Sequence, residues 1–116
     1  MKDNVIDQAI IQGIRRLQKP GRPDLLKELI SLFIETSEGH LKILRASVEN
    51  QDLGTVAHIA HSIKSSAANL GALKLSKQCI ELEKIGNGDL RPERLSSALY
   101  QLEEAYHEAA ALLKTY

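Results

Sequence analysis

The stretch that decides the fold lies at residues 53–72 and reads LGTVAHIAHSIKSSAANLGA. Its apolar side chains recur at spacings of three and four residues, the pattern of a helix buried along one side. This stripe consists of Leu53, Val56, Ala60, Ile63, Ala67 and Leu70. At about 3.6 residues per turn, His61 lies roughly 130° from the middle of the stripe. The imidazole of His61 is therefore predicted to face solvent.

The face around His61 carries small side chains where a surface helix usually carries long polar ones. Ala57 lies one turn before the histidine, Ser65 one turn after it, and Ala68 two turns after it. These residues leave room for a second protein to approach the ring. Lys64 follows at i+3, where its ammonium group is able to accompany an anionic group on the imidazole. A solvent-exposed imidazole is in large part neutral and nucleophilic at cytoplasmic pH.

The helix lacks the neighbours that a catalytic histidine usually needs. No carboxylate stands at i±3 or i±4 of His61 to orient the ring, and no Ser or Cys is paired with it as an activated nucleophile. This pattern favours a phosphate carrier whose chemistry is completed by a partner protein.

The sequence resembles histidine-containing phosphotransfer (HPt) domains over the motif Ala60-His61-x-Ile63-Lys64-x-Ser66-x-Ala68-Asn69-Leu70-Gly71-Ala72. In that family Ala-His-x-Leu-Lys-Gly is followed six residues later by Gly-Ala. The resemblance implies that His61 is the phosphoacceptor, that Lys64 supports the phosphohistidine, and that Gly71 lets the helix end turn closely against its neighbour. Ser65 departs from the pattern, because the family usually has glycine there.

Glu83 stands where the family often carries Glu or Gln on the following helix, able to approach the histidine. A solvated surface charge is an equal alternative for this residue. The wider match covers nearly the whole chain and implies a four-helix bundle with its histidine midway along one helix.

Length and composition limit the possible fold and function classes. The length of 116 residues indicates a single domain, 1–116. Apolar residues make up 43% of the chain and aromatic residues only 3%, so the core is predicted to be aliphatic and built from packed helices. The formal charge is zero, whereas a nucleic-acid binder of this size normally shows a basic face. The single cysteine, Cys79, excludes a disulfide within the chain and is predicted to lie in the core.

The sequence has no apolar run of about 18 residues and no apolar stretch of the signal-peptide type at its start. We therefore expect no membrane contact by this domain. The expected location is the cytoplasm, or the cytoplasmic portion of a membrane-anchored sensor kinase.

The pattern predicts five helices, over residues 4–18, 23–50, 52–70, 73–86 and from 91 onward. Pro20, Gly21 and Pro23 break the first connection. Asp52 is predicted to cap the third helix, and Gly86–Asp89 to form a turn. The apolar stripe of the first helix is predicted as Val5, Ile6, Ala9, Ile10, Ile14 and Leu17; that of the last as Leu95, Leu99, Leu102, Ala105 or Tyr106, Ala109 and Leu113. These helices predict an all-α, up-and-down four-helix bundle with a short additional N-terminal helix at one end.

The leading hypothesis is a phosphorelay carrier, following the resemblance. A response-regulator receiver domain docks on the face formed by Ala57, Ser65 and Ala68, passes a phosphoryl group to His61, and a second receiver takes it away. The domain has no nucleotide-binding motif, needs no cofactor of its own, and leaves Mg²⁺ to the receiver. We expect a monomer that is either a stand-alone protein or the C-terminal module of a hybrid sensor histidine kinase.

Two other classes of function are weighed against the carrier. In the first, the face around His61 docks a partner without being phosphorylated. In the second, the bundle holds a metal or haem. His58 and His61, at i and i+3, would need two further metal ligands, and no Cys or acidic pair at suitable spacing joins them. His40 and His107 show no partner in sequence and are predicted to be surface residues.

Overall fold

Five α-helices dominate the computed structural model, which describes residues 5–116. They are α1 (Gln8–Arg16), α2 (Leu25–Glu49), α3 (Leu53–Asn69), α4 (Leu73–Gly86) and α5 (Leu95–Leu113), and a 3₁₀ turn at Pro92–Arg94 leads into α5. No β-strand occurs within the described residues.

The last four helices form the up-and-down four-helix bundle that the sequence predicts. Helix α3 packs against α2 and α4, and α5 closes the ring by packing against α2 and α4. Short connections make neighbouring helices antiparallel, so the molecule is elongated, with extents of 50 × 26 × 20 Å. The short helix α1 packs against α2. Helix α3, which carries His61, therefore has one side against its neighbours and one side open.

The core is aliphatic, as the composition predicts. Helix α3 buries Val56, Ile59, Ala60, Ile63 and Ala67. The predicted stripe is thus confirmed in its centre, with Ile59 added and Leu53 only half-buried. On α5 both Ala105 and Tyr106 are buried, and Tyr106 meets Phe33 of α2 with ring centroids 6.2 Å apart. The stripe of α3 therefore fixes which side of that helix faces solvent.

Polar side chains cap the N-termini of α2 and α3. Asp24 accepts a hydrogen bond from the backbone N–H of Lys27 at the start of α2. Asp52 accepts from the backbone N–H and the hydroxyl of Thr55 at the start of α3. Each carboxylate satisfies a first-turn amide that has no partner inside the helix. The predicted cap at Asp52 is confirmed.

The prediction for the first helix is partly wrong. Its predicted start at residue 4 lies outside the described residues. Asp7 caps α1 by accepting from the backbone N–H of Ala9, so the helix begins only at Gln8. Val5, Ile6 and Ile14 of the predicted stripe are nevertheless buried. In the structure Ile11 is buried, whereas Leu17, predicted to face the core, follows the last residue of α1 and is 66% exposed.

Candidate functional site

Helix α3 is held at both ends, which fixes where His61 points. Its N-terminus is capped by Asp52. At its C-terminus Gly71 adopts φ +75°, and its carbonyl oxygen accepts a hydrogen bond from the backbone N–H of Asp7 at 2.7 Å. A Cβ on Gly71 would lie 3.0 Å from the carbonyl oxygen of Asp7, so the position requires glycine for both conformation and space. The structure thus places Gly71 where the resemblance implied, at a close turn against a neighbour.

His61 lies midway along α3, and its side chain is 58% exposed. The predicted orientation towards solvent is confirmed. Ser65 and Ala68 are also exposed on this face. Ser65, which replaces the usual glycine of the family pattern, makes no hydrogen bond to the ring within the described residues. On the C-terminal side of the imidazole a partner protein therefore meets the small side chains of Ser65 and Ala68.

One carboxylate joins His61 to Lys64. Oε2 of Glu83, on α4, lies 2.8 Å from Nδ1 of His61, and Oε1 accepts a hydrogen bond from Nζ of Lys64 at 2.6 Å. The side chains of Lys64 and Glu83 are only 28% and 21% exposed. The ring is therefore oriented by a carboxylate after all, but it comes from the next helix rather than from α3. Of the two interpretations left open for Glu83, the structure favours the one in which it contacts the histidine.

The bridge sets the charge on Glu83. The hydrogen bond from Lys64 is the largest influence and lowers the pKa of the Glu83 carboxyl; partial burial opposes this shift, and the hydrogen bond from His61 adds to it. Glu83 is therefore a carboxylate at neutral pH and accepts hydrogen bonds only. Nδ1 of the neutral imidazole must then carry the proton, which leaves the lone pair of the ring on Nε2. No hydrogen bond reaches Nε2 from residues 5–116.

Ala57, predicted to border the docking face, has a second role in the structure. It is half-buried and lies against Gly86, where a Cβ built on Gly86 would be 2.7 Å from the Cβ and the backbone N of Ala57. The small side chain thus serves the close approach of α3 and α4. In the sequence, Gly86 ends the fourth predicted helix and opens a turn, because a glycine at the end of a predicted helix is typical of a C-terminal stop.

The structure also locates Cys79 and the three other histidines. Cys79 is buried one turn before Glu83, and burial raises the pKa of its thiol to about 12. His58 is exposed, and no group of three or more His, Cys, Asp or Glu side chains in the described part of the chain is placed to hold a metal ion. His107 is exposed as predicted. His40 is half-buried with Nδ1 shielded from solvent, so its prediction as a surface residue is wrong; it belongs to the face of α2 that turns towards its neighbours.

An apolar groove runs beside the open face, between α2 and α3, and sequence analysis did not identify it. Its lining residues are Leu29, Leu32, Phe33 and Thr36 of α2 and Ser66, Asn69 and Leu70 of α3. Leu32 is 60% exposed. The signal in the sequence is Leu32, which directly precedes Phe33 of the buried stripe and lies about 100° from it round the helix. Among the described residues, no helix is long and apolar enough to cross a membrane.

The chain is similar to known phosphotransfer proteins. Residues 28–112 match the Hpt domain family. The chain is 24% identical to histidine-containing phosphotransfer protein 1 of Arabidopsis thaliana over 115 residues, 97% of this chain and 73% of that protein. It is 29% identical to phosphorelay protein LuxU of Vibrio vulnificus over 89 residues, 72% of this chain and 77% of LuxU. The crystal structure of histidine-containing phosphotransfer protein B from Pseudomonas aeruginosa PAO1 matches with a TM-score of 0.82 and 26% identity, over 99% of this chain and 95% of that one.

Proposed function

The chain belongs to the Hpt domain family, and on that premise we propose that His61 is the phosphoacceptor of a phosphorelay carrier. The observation that carries the proposal is the exposed imidazole, with Nδ1 held by Glu83 and with no hydrogen bond to Nε2 from the described residues 5–116. Both the donor and the acceptor are proposed to be receiver domains of response regulators. The domain is proposed to act alone or as one module of a hybrid sensor kinase.

The reaction is a displacement at phosphorus. The lone pair on Nε2 forms a P–N bond while the P–O bond of an aspartyl phosphate breaks and its electron pair returns to the aspartate carboxylate. Mg²⁺ held by the receiver would neutralise the phosphoryl oxygens during this step. The carrier contributes an oriented nucleophile and a nearby cation, Lys64, and needs no nucleotide site of its own. The second receiver takes the phosphoryl group away by the same displacement in reverse.

Docking of the receiver is proposed to use the open face of α3 and its two borders. Ser65 and Ala68 keep the approach to the ring free. Leu32, which lines the groove on the α2 side, and Ile80, one turn before Glu83 on α4, are 60% and 40% exposed. Apolar side chains on both sides of this centre offer a partner area to bury, while the small side chains in the centre leave Nε2 accessible.

The test is phosphotransfer from a phosphorylated receiver to His61→Gln, with His58→Gln as the matched control. His58 lies three residues away on the same helix and is also exposed, so both substitutions should leave helical content unchanged. We expect acid-labile phosphate on the wild type and on His58→Gln, and none on His61→Gln. If His61→Gln still accepts phosphate, the assignment is wrong. If the wild type accepts none from any receiver, the chain is a helical interaction module.

Ala68→Gln separates docking from chemistry. Ala68 lies about 20° round the helix from His61 and two turns away, so a longer side chain enters the space of the receiver without touching the ring. We expect slower transfer from a receiver but unchanged phosphorylation by a small phosphodonor such as phosphoramidate. Equal transfer from the receiver to both proteins would show that the receiver docks elsewhere.

A further inference from the structure

The contact between Glu83 and His61 constrains the proton as well as the ring. Because a Glu83 carboxylate only accepts, Nδ1 of the neutral ring carries the hydrogen in the 2.8 Å contact with Oε2, and Nε2 carries the lone pair before transfer. After transfer, Nε2 is bonded to phosphorus. The ring then holds the positive charge of an imidazolium unless Nδ1 releases its proton.

We propose that Glu83 keeps Nδ1 protonated for as long as the phosphoryl group stays on the ring. The phosphorylated carrier is then a phosphoimidazolium paired with the Glu83 carboxylate, and neither half-reaction moves a proton. Glu83 is thus a positioning residue, acting through His61. This inference rests on the proposed function, since it concerns the same phosphohistidine.

The geometry supports the proposal because deprotonation of Nδ1 would leave an unfavourable contact between His61 and Glu83. Without its proton, Nδ1 would direct a lone pair at a carboxylate oxygen at hydrogen-bond distance, and two acceptors would face each other in a partly buried site. Among the residues that the structure describes, the charged groups in contact with the ring or with this carboxylate are Glu83 from α4 and Lys64 from α3. Cys79, buried beside them, is a neutral thiol because burial raises its pKa. Helix α2 brings no salt bridge to His61 or Glu83 within residues 5–116.

Lys64 links the two states of the site. In the unphosphorylated chain its ammonium group donates to Oε1 of the same carboxylate at 2.6 Å, and so neutralises part of the charge that attracts Nδ1–H. A phosphoryl group on Nε2 brings a stronger anionic acceptor to the neighbouring turn. When Lys64 turns to it, the full charge of Glu83 acts on Nδ1–H. Phosphorylation therefore strengthens the contact that retains the proton.

The retained proton has a consequence for onward transfer. The P–N electron pair returns to the ring when phosphorus moves to the next aspartate. From a phosphoimidazolium this releases neutral imidazole; from a neutral phosphoimidazole it would release an imidazolate anion, a far poorer leaving group. Glu83 thus keeps the phosphoryl group ready to leave without an added acid, as a carrier between two receivers requires.

The test compares the phosphorylated forms of wild type, Glu83→Gln and Glu81→Gln. Glu81 is the matched control, because it lies on the same helix but pairs with Arg94, away from the ring. Nitrogen-15 NMR of the His61 ring, recorded from pH 6 to 9, reports whether Nδ1 carries a proton. Onward transfer to a receiver is measured over the same range. The thermal transition of each variant checks that it is folded.

We expect Nδ1 of the wild type and of Glu81→Gln to stay protonated to higher pH than Nδ1 of Glu83→Gln. Onward transfer from the wild type should change little between pH 6 and 8, whereas that from Glu83→Gln should fall with rising pH, approaching about tenfold per pH unit once the proton is lost. Lys64→Ala leaves the Glu83–His61 contact in place, so its transfer should be slower but equally flat with pH. It also keeps the proposal testable if Glu83→Gln does not fold.

Several results would overturn the inference. One is an unprotonated Nδ1 in the phosphorylated wild type at pH 7; another is the same titration in wild type and Glu83→Gln; a third is a steep pH profile for Lys64→Ala. Each of these requires that phosphohistidine has formed, so the proposed function stands. Failure of the wild type to form phosphohistidine contradicts the proposed function instead.

Discussion

Replacing Gly86 by alanine tests the contact that brings α4 close to the histidine helix. A Cβ on Gly86 would lie 2.7 Å from three atoms of α3: the Cβ of Ala57, the backbone N of Ala57 and the carbonyl oxygen of Leu53. Two of these are backbone atoms, which cannot turn aside as a flexible side chain does. Ordinary contacts begin at 3.4 Å, so the helices must separate locally by about 0.7 Å.

The expected cost follows from this overlap. Forcing an extra methyl group into a packed interface typically costs about 1–3 kcal/mol. Alanine gains about 0.5–1 kcal/mol over glycine inside a helix, but Gly86 is the last residue of α4, where the gain is smaller. Gly86→Ala is therefore expected to lower the free energy of unfolding by about 1–3 kcal/mol. For a domain of this size that lowers the melting temperature by roughly 4 °C per kcal/mol.

Gly39→Ala is the matched control, because Gly39 lies inside α2 with nothing within 4 Å of its Cβ position. It should raise stability by about 0.5–1 kcal/mol. The assay is urea unfolding of both variants, followed by circular dichroism, together with transfer from a receiver. Gly86→Ala should also slow transfer, since Glu83 moves away from His61 with α4. A Gly86→Ala protein as stable as Gly39→Ala would refute the close packing on which this reasoning rests.

Three further predictions concern Lys64, Glu83 and Cys79. Lys64→Ala should slow transfer or shorten the phosphohistidine lifetime by roughly 5- to 150-fold, the value of one charge-assisted contact of about 1–3 kcal/mol; unchanged rate and lifetime would make Lys64 an ordinary surface lysine. The pKa of Glu83 is lower in the folded state than in the unfolded state. Its bridge to Lys64 and His61 therefore stabilises the fold at a pH above the unfolded-state pKa, and this stabilisation is lost as the pH falls through the folded-state pKa. Glu83→Gln should therefore be less stable than wild type at pH 7, by about 0.2–1 kcal/mol, and thermal melts should show this difference shrinking as the pH is lowered into the acid range. Cys79, whose pKa is raised to about 12 by burial, should not react with a thiol reagent at pH 8 until urea unfolds the protein; rapid reaction of the folded chain would contradict its burial.

The elements that sequence analysis located well are those decided by neighbours in the chain. The limits of α3 follow from Asp52 and Gly71, and its buried side from spacings of three and four residues. The exposure of His61 follows from the same periodicity. Leu17 shows where such reasoning fails, because α1 ends at Arg16 and the predicted stripe continues one residue beyond the helix.

The contacts between helices were beyond the reach of this reasoning. Periodicity places Glu83 and His61 on the faces of their own helices, but it states neither how far α3 and α4 slide along each other nor how closely they approach. For that reason the sequence does not decide whether Glu83 contacts the ring or is a solvated surface charge. Gly86 gave the same difficulty, since a packing glycine and a terminating glycine look alike in sequence.

The register of α3 against α4 explains how the two kinds of small residue act together. Gly86 meets Ala57, and Glu83, three residues before Gly86, meets His61, four residues after Ala57. In antiparallel helices these are consecutive contacts along one seam, one turn apart. The glycine and the alanine draw the backbones together at the first contact, and the short glutamate side chain therefore reaches both Nδ1 of His61 and Nζ of Lys64 at the second. A bulkier pair in place of Gly86 and Ala57 would part the helices and leave Nδ1 to water. We infer that the orientation of the nucleophile depends on the packing one turn away from it, where Gly86 meets Ala57.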